Sequence, residues 1–217
     1  TTTNTACLSQ GGLYRGDGSP CATANCPLPG ACCLPNGTCA IMLAATCTTS
    51  NGIFRGEGST CATANCPMPP GMWIEQGDAG NLPGTAQTTN GTGSLNTING
   101  ALTAGDVDMY KITVCDSGAF TAILSGTISD TQIFLFDSNG KGVAMNDDTP
   151  VGTGLLSALA PAGAISGLTN GTYYIAVSSY DNDPNDSGAL ALWLDTPFNT
   201  VRAPDGPGAA NPVASWD

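Results

Sequence analysis

The chain is expected to be mainly β: an antiparallel β-sandwich preceded by small disulfide-stapled repeats. Three observations carry this. Nine of the ten cysteines fall between residues 7 and 66. Beyond residue 71, apolar residues alternate with period two between Gly, Asn and Asp turns. No stretch there sustains the 3.6-residue apolar period of a long helix.

The N-terminal elements repeat. Cys7–Pro29 (CLSQGGLYRGDGSPCATANCPLP) returns forty positions later as Cys47–Pro69 (CTTSNGIFRGEGSTCATANCPMP), with 14 of 23 positions identical and all three cysteines in register. Tandem cysteine-framed copies indicate covalent durability. A metal role is disfavoured, because no CxxC pair occurs and histidine is absent. Disulfides are therefore expected at Cys7, Cys21, Cys26, Cys32, Cys33, Cys39, Cys47, Cys61, Cys66 and Cys115, which places the chain in a secreted or cell-surface compartment.

Two frames divide these cysteines. A unit drawn from Gly30 to Pro69 holds Cys32, Cys33, Cys39, Cys47, Cys61 and Cys66. A shifted unit holds Cys7, Cys21, Cys26, Cys32, Cys33 and Cys39 and leaves Cys47, Cys61 and Cys66 to pair with Cys115. The shifted frame is preferred. It gives units of about 1–40 and 41–70 and a bridge from the second unit into the next domain; an unpaired cysteine bridging two molecules is the alternative. Few core residues support such units (Leu13, Tyr14, Ile41, Met42, Leu43, Ile53, Phe54), so cross-links must offset chain entropy. Ala40–Cys47 is expected to form a short helix. Arg15–Asp17 is an RGD triplet, which suggests integrin binding, but the second copy carries RGE there, so a repeated structural turn is preferred.

A stiff PMPPG boundary at 67–71 separates 1–70 from a β domain at 71–217. Its strands are expected around Tyr110, Ile112 and Val114; around Phe120, Ala122 and Leu124; at Ile133–Phe136, apolar on both faces; around Tyr173, Ile175 and Val177; and around Leu190, Leu192 and Leu194. DSNG at 137–140 supplies a hairpin turn.

The segments GDVDMYKITV (105–114), DTQIFLFDSNGKGVAMNDD (130–148) and GTYYIAVSSYDNDP (171–184) resemble the bacterial pre-peptidase C-terminal domain over about residues 85–195. GACCLPNGTC (30–39) looks like short repeats of large secreted bacterial surface proteins. The resemblance implies a jelly-roll-like sandwich with a non-catalytic role in adhesion, targeting or surface display. The chain departs from the pattern after Asp195, where a Pro/Gly/Ala-rich tail replaces a final strand. Either Ala189–Asp195 closes the sheet or an edge stays open, and an open edge invites a partner strand. The TTTNTA N-terminus is a candidate donor, weighed against a disordered terminus.

Seventeen acidic against five basic residues give a net charge of −12, which disfavours nucleic acid and anionic lipid as partners. No run approaches the length of a membrane span, and no leader precedes the chain, which predicts a mature, processed form. Without histidine the commonest catalytic base is missing, and the acids sit in turns, so no enzyme activity is expected. No cofactor is required; calcium is the candidate ion, on Asp147, Asp148, Asp181, Asp183 and Asp186, with Asp106 and Asp108 as further candidates. Four Asn-x-Ser/Thr sequons, at Asn36, Asn90, Asn170 and Asn185, assign no glycan.

Two functions are expected from this. The first is a structural subunit of an extracellular filament, sheath or surface layer, partnered by copies of itself through strand complementation and disulfides. The second is a calcium-assisted carbohydrate- or protein-binding module of a secreted hydrolase or adhesin, with glycans among its partners.

Overall fold

The computed structural model describes residues 16, 27–67, 69–91, 93–127, 130–148 and 154–217. These fall into two compact units, 27–74 with 93–96, and Glu75–Gly91 with Thr97–Asp217. The expectations for Cys7, Cys21, Cys26, the RGD triplet and the N-terminal donor strand lie outside the described residues.

The first unit contains β1 (Gly30–Cys33), β2 (Cys39–Met42), helix α1 (Ala44–Thr49), β3 (Ile53–Phe54) and β4 (Met72–Ile74). β1 is the centre of a three-stranded antiparallel sheet, flanked by β2 and β3. The helix begins four residues later than expected, because Cys39–Met42 pairs with β1 instead. Adjacent side chains on a strand point to opposite faces, so Cys32 and Cys33 address different sides of the sheet. Cys32 is bonded to Cys47 on α1; Cys33 is bonded to Cys66, and Cys39, which faces Cys33 across the ladder, is bonded to Cys61. Ala31, Cys33 and Ala64 form a small buried cluster with Cys39, Cys61 and Cys66 against it. Ring closures of 15, 33 and 22 residues each remove about 3–4 kcal/mol of unfolded-chain entropy in the loop model.

This pairing overturns the preferred frame. The six cysteines from Cys32 to Cys66 close on themselves, all three bonds cross the boundary drawn at 40/41, and Cys115 is free and exposed. Each cysteine of the β1–β2 hairpin, Cys32, Cys33 and Cys39, instead bonds a cysteine of the 47–66 segment that follows it. The Gly30–Pro69 frame is the one observed. The PMPPG boundary also shifts, since the division between units falls after Ile74, and Trp73 beyond the prolines is buried. The RGEG segment does form a turn, and Arg55 serves the fold, donating from Nε to Cys33 Sγ (3.3 Å) and from Nη2 to the Asn65 carbonyl (3.1 Å).

The second unit contains β5 (Gln87–Thr88), β6 (Thr97–Asn99), β7 (Val107–Val114), β8 (Ala122–Ile123), β9 (Thr131–Asp137), β10 (Gly142–Asn146), β11 (Ala158–Leu159), β12 (Gly171–Ser179), β13 (Pro184–Asn185) and β14 (Ser215–Trp216). Five of them make one sheet in the order β10-β9-β12-β7-β5, antiparallel except for the β5–β7 pair. Register aligns Met145, Phe134, Ala176 and Met109 as one rung across four strands. The next rung, Ala144, Leu135, Ile175 and Tyr110, points to the other face and is also buried. Both faces of the sheet are therefore covered, as the unbroken apolar run of β9 requires. Asp137 builds the β9–β10 turn, accepting from the amides of Asn139 and Lys141 through Oδ1.

The C-terminal segment covers the Phe134 face. Leu192, Trp193 and Val213 join the main buried cluster. Trp193 and Trp216 pack against Phe134 and Phe136 at ring separations of 5.3–6.2 Å. The open-edge expectation is corrected along β10: among the described residues neither Ala189–Asp195 nor any long strand closes the sheet there, yet single bridges occupy its outer edge. Met145 and Arg202 exchange backbone hydrogen bonds at 3.0 Å, and the Val213 amide donates to the Gly140 carbonyl. Pro/Gly composition concealed this role. A β-carbon on Gly206 would overlap the Ala191 carbonyl oxygen, so glycine there marks close packing rather than slack chain. The strand expected around Phe120–Leu124 shrinks to the two residues of β8, and Leu190 and Leu194 are exposed rather than strand-paired.

Candidate functional site

Two groups of three acids come together among the described residues, Glu75–Asp78–Asp108 and Asp130–Asp147–Asp148; in each, one carboxylate oxygen per residue lies within 4.8 Å of the others.

The first group forms where β7 begins. Asp108 is buried within the strand at 3% exposure, with no hydrogen-bond partner for Oδ1. Glu75 faces it and organises two loops, accepting from the Ala79 amide at 2.9 Å and the Ala101 amide at 2.8 Å. Burial, followed by the adjacent Glu75, pushes the Asp108 carboxyl up to about 8, with Asp106 and Asp78 adding to the effect. Burial and Asp108 likewise raise the Tyr110 phenol. Asp106 stands outside the group and caps its own strand, accepting from the Val107 amide.

The second group lies at the open end of the β9–β10 hairpin. The ladder pairs Ile133 with Asn146, so the residue preceding β9, Asp130, comes beside the two residues following β10. Asp147 is 2% exposed, and Oδ1 of both Asp147 and Asp148 is buried without a partner. Burial raises the Asp147 carboxyl to about 7, helped by Asp148, Asp130 and Asp183 and opposed by Arg202. That arginine is engaged elsewhere, forming with Asp205 a 2.7 Å ion pair and donating to the Leu194 carbonyl.

Of the five acids expected to bind calcium, Asp147 and Asp148 are brought together, and Asp181, Asp183 and Asp186 are not part of the group. Asp181 is exposed. Asp183 accepts from Gln132 Nε2, and its carboxyl is raised to about 6, chiefly by burial. Asp186 orders the 186–190 turn, accepting from the Gly188 and Leu190 amides and from Asn211, and the Leu190 amide foremost holds it below the usual carboxylate range. Glu75, Asp78 and Asp130 escaped the sequence reading. Asp130 was within reach, since a turn at 137–140 fixes which residues face Asn146; Glu75 and Asp78 meet Asp108 through tertiary folding alone.

Chemically, each group concentrates formal negative charge around a buried, unpartnered carboxylate oxygen. A hard cation such as calcium, which takes six to eight oxygens from carboxylates, carbonyls and water, fits such a donor set. Comparison with protein-family models, curated proteins and solved structures found no match to the chain.

Proposed function

We propose that the chain is a non-catalytic extracellular module, disulfide-stapled in one unit and calcium-braced in the other, that binds carbohydrate or protein rather than transforming it. The observation that carries the reading is Asp108: an acid buried in an interior strand, facing Glu75 and Asp78, with no cationic side chain against it among the described residues. Glu75 and Asp78 concentrate further negative charge beside it, and compensation by a divalent ion suits such a group. Millimolar extracellular calcium and an oxidising compartment match the two stabilising devices. The sandwich architecture and adhesive role implied by the pre-peptidase C-terminal resemblance belong to this same reading.

The test is retention on immobilised polysaccharides and matrix proteins. Binding in 2 mM calcium (about the upper range of extracellular sites) that is released by EDTA and lost in Asp108→Asn supports the reading, and binding indifferent to both refutes it. A second reading, a self-associating structural subunit of a filament, sheath or surface layer, draws support from one feature, the exposed thiol of Cys115. It would work through disulfide stapling between copies; the occupied edge of β10 removes the motive for strand complementation there. Disulfide-linked oligomers of wild type that disappear in Cys115→Ser would favour it.

A further inference from the structure

We propose that Asp130, Asp147 and Asp148 form a second, separate binding site for a hard divalent cation, calcium foremost, whose occupancy fastens the 194–205 segment along the edge of β10. The inference stands on residues other than Glu75, Asp78 and Asp108, and holds or falls independently of the function proposed above.

Three observations converge. The donor set is assembled by the β9–β10 ladder rather than by a loose loop, because hairpin register places Asp130 against the residues following β10. Within it, Asp147 is almost fully buried and its Oδ1 meets no donor, which costs free energy unless something positive compensates it. Arg202, the cationic side chain that bears on Asp147, turns its Nη atoms to Asp205 and the Leu194 carbonyl and makes no hydrogen bond to Asp147, its buried Nε being without a partner. Asp130 and Asp148 are half-buried, so the group is open to an ion from solvent.

The coupling to the tail follows from what the same residues do with their backbones. The Phe198 carbonyl accepts from the amides of Asp147 (3.3 Å) and Asp148 (3.0 Å) and from Asn146 Nδ2 (3.3 Å). Two residues away on β10, Met145 exchanges both backbone hydrogen bonds with Arg202. The strap is held otherwise by Arg202, whose guanidinium bonds Asp205 and the Leu194 carbonyl and whose own carbonyl accepts from Trp193 Nε1, while the side chains of Leu194 and Phe198 are exposed by 51% and 37%. Carboxylates this close repel one another when ionised. A cation drawn between them holds the 146–148 turn in the shape that presents two amides and a carboxamide to Phe198. Asn146 extends the connection inward, accepting from the Ala158 amide of β11.

The experiment uses the full chain, freed of metal with chelator and titrated with calcium chloride alone. It reads calcium equivalents by equilibrium dialysis and amide exchange across 194–205. Wild type is expected to bind one more calcium than Asp147→Asn or Asp148→Asn. Opening of a segment fully coupled to a site is suppressed about 100-fold at a free ion concentration 100 times its dissociation constant; exchange at Arg202 should slow by at least about tenfold. Asp148→Asn should lose that protection and Asp108→Asn should keep it. Asp148 is half-exposed, so this variant is informative even where Asp147→Asn fails to fold. Equal stoichiometry in wild type and Asp148→Asn overturns the site; calcium binding without slowed exchange at 194–205 overturns the coupling.

Discussion

The two units of this chain solve one problem by opposite means. The 27–74 unit has a buried cluster of only three residues and six cysteines in three bonds. The sheet unit has a nine-residue cluster centred on Phe134 and Phe136, with buried acids in place of staples. Covalent closure acts on the unfolded chain and is indifferent to pH and ions. Hydrophobic burial with unpaired carboxylates leaves stability that depends on protons and cations. One part is thus expected to fail on reduction and, under the proposed calcium bracing, the other on chelation.

The largest effect should come from removing the staples. Full reduction is expected to unfold the 27–74 unit, because each bond in a small domain is worth about 2–5 kcal/mol. Amide protection across β7, β9 and β12 should persist, and its loss on reduction would break the comparison. Phe134→Ala is the reciprocal perturbation. It empties the centre of the rung that Met145, Ala176 and Met109 share and removes the platform for Trp193 and Trp216. A cost of about 3–5 kcal/mol is expected, read by denaturant unfolding of the tryptophan signal, with the three disulfides still formed in a non-reducing peptide map.

A comparable effect concerns pH. Asp108 and Asp147 have folded pKa values raised to about 8 and about 7, against about 3.9 unfolded. The folded state therefore binds more protons than the unfolded state between those limits, and stability falls as pH rises through the window. In EDTA the sheet unit should be more stable at pH 4.5 than at pH 8, by several kcal/mol. Asp108→Asn should flatten part of that slope, and stability rising with pH in chelator would contradict the assignment. The smallest effects probe the stapled unit and the free thiol. Gly52→Ala places a β-carbon against Cys32 Sγ and should lower the stability of the 27–74 unit by about 1–2 kcal/mol. Cys115→Ser, on an exposed side chain, should leave thermal stability within about 0.5 kcal/mol.

Much of the sheet was legible because period-two patterning and local turn chemistry act over short distances. The strands around Tyr110, Ile133–Phe136 and Tyr173 were readable from alternation, and the 137–140 turn from Asp137 and Gly140. The C-terminal cover was not, because its elements are single bridges and close glycine contacts. Gly206 reads as breaker chemistry in sequence, yet it permits packing against Ala191. Cysteine pairing was undecidable from spacing, since both frames left even numbers; it is settled only by tertiary folding, which brings Cys47, Cys66 and Cys61 to Cys32, Cys33 and Cys39. The acid sites were half legible. Neighbours in sequence such as Asp147 and Asp148 announced themselves, whereas Asp130 and Glu75 arrive by register and tertiary folding.

The central claim, that one unit is held by staples and the other by ions, is tested most directly by amide exchange on the intact chain in four conditions, with and without reductant and with calcium or EDTA. The account predicts that reductant exposes 30–66 and leaves β7, β9 and β12 protected, while EDTA loosens the acid-bearing segments 75–79, 106–110 and 194–205 and leaves 30–66 unchanged. Exchange across 75–79, 106–110 and 194–205 that is identical in calcium and EDTA would contradict it.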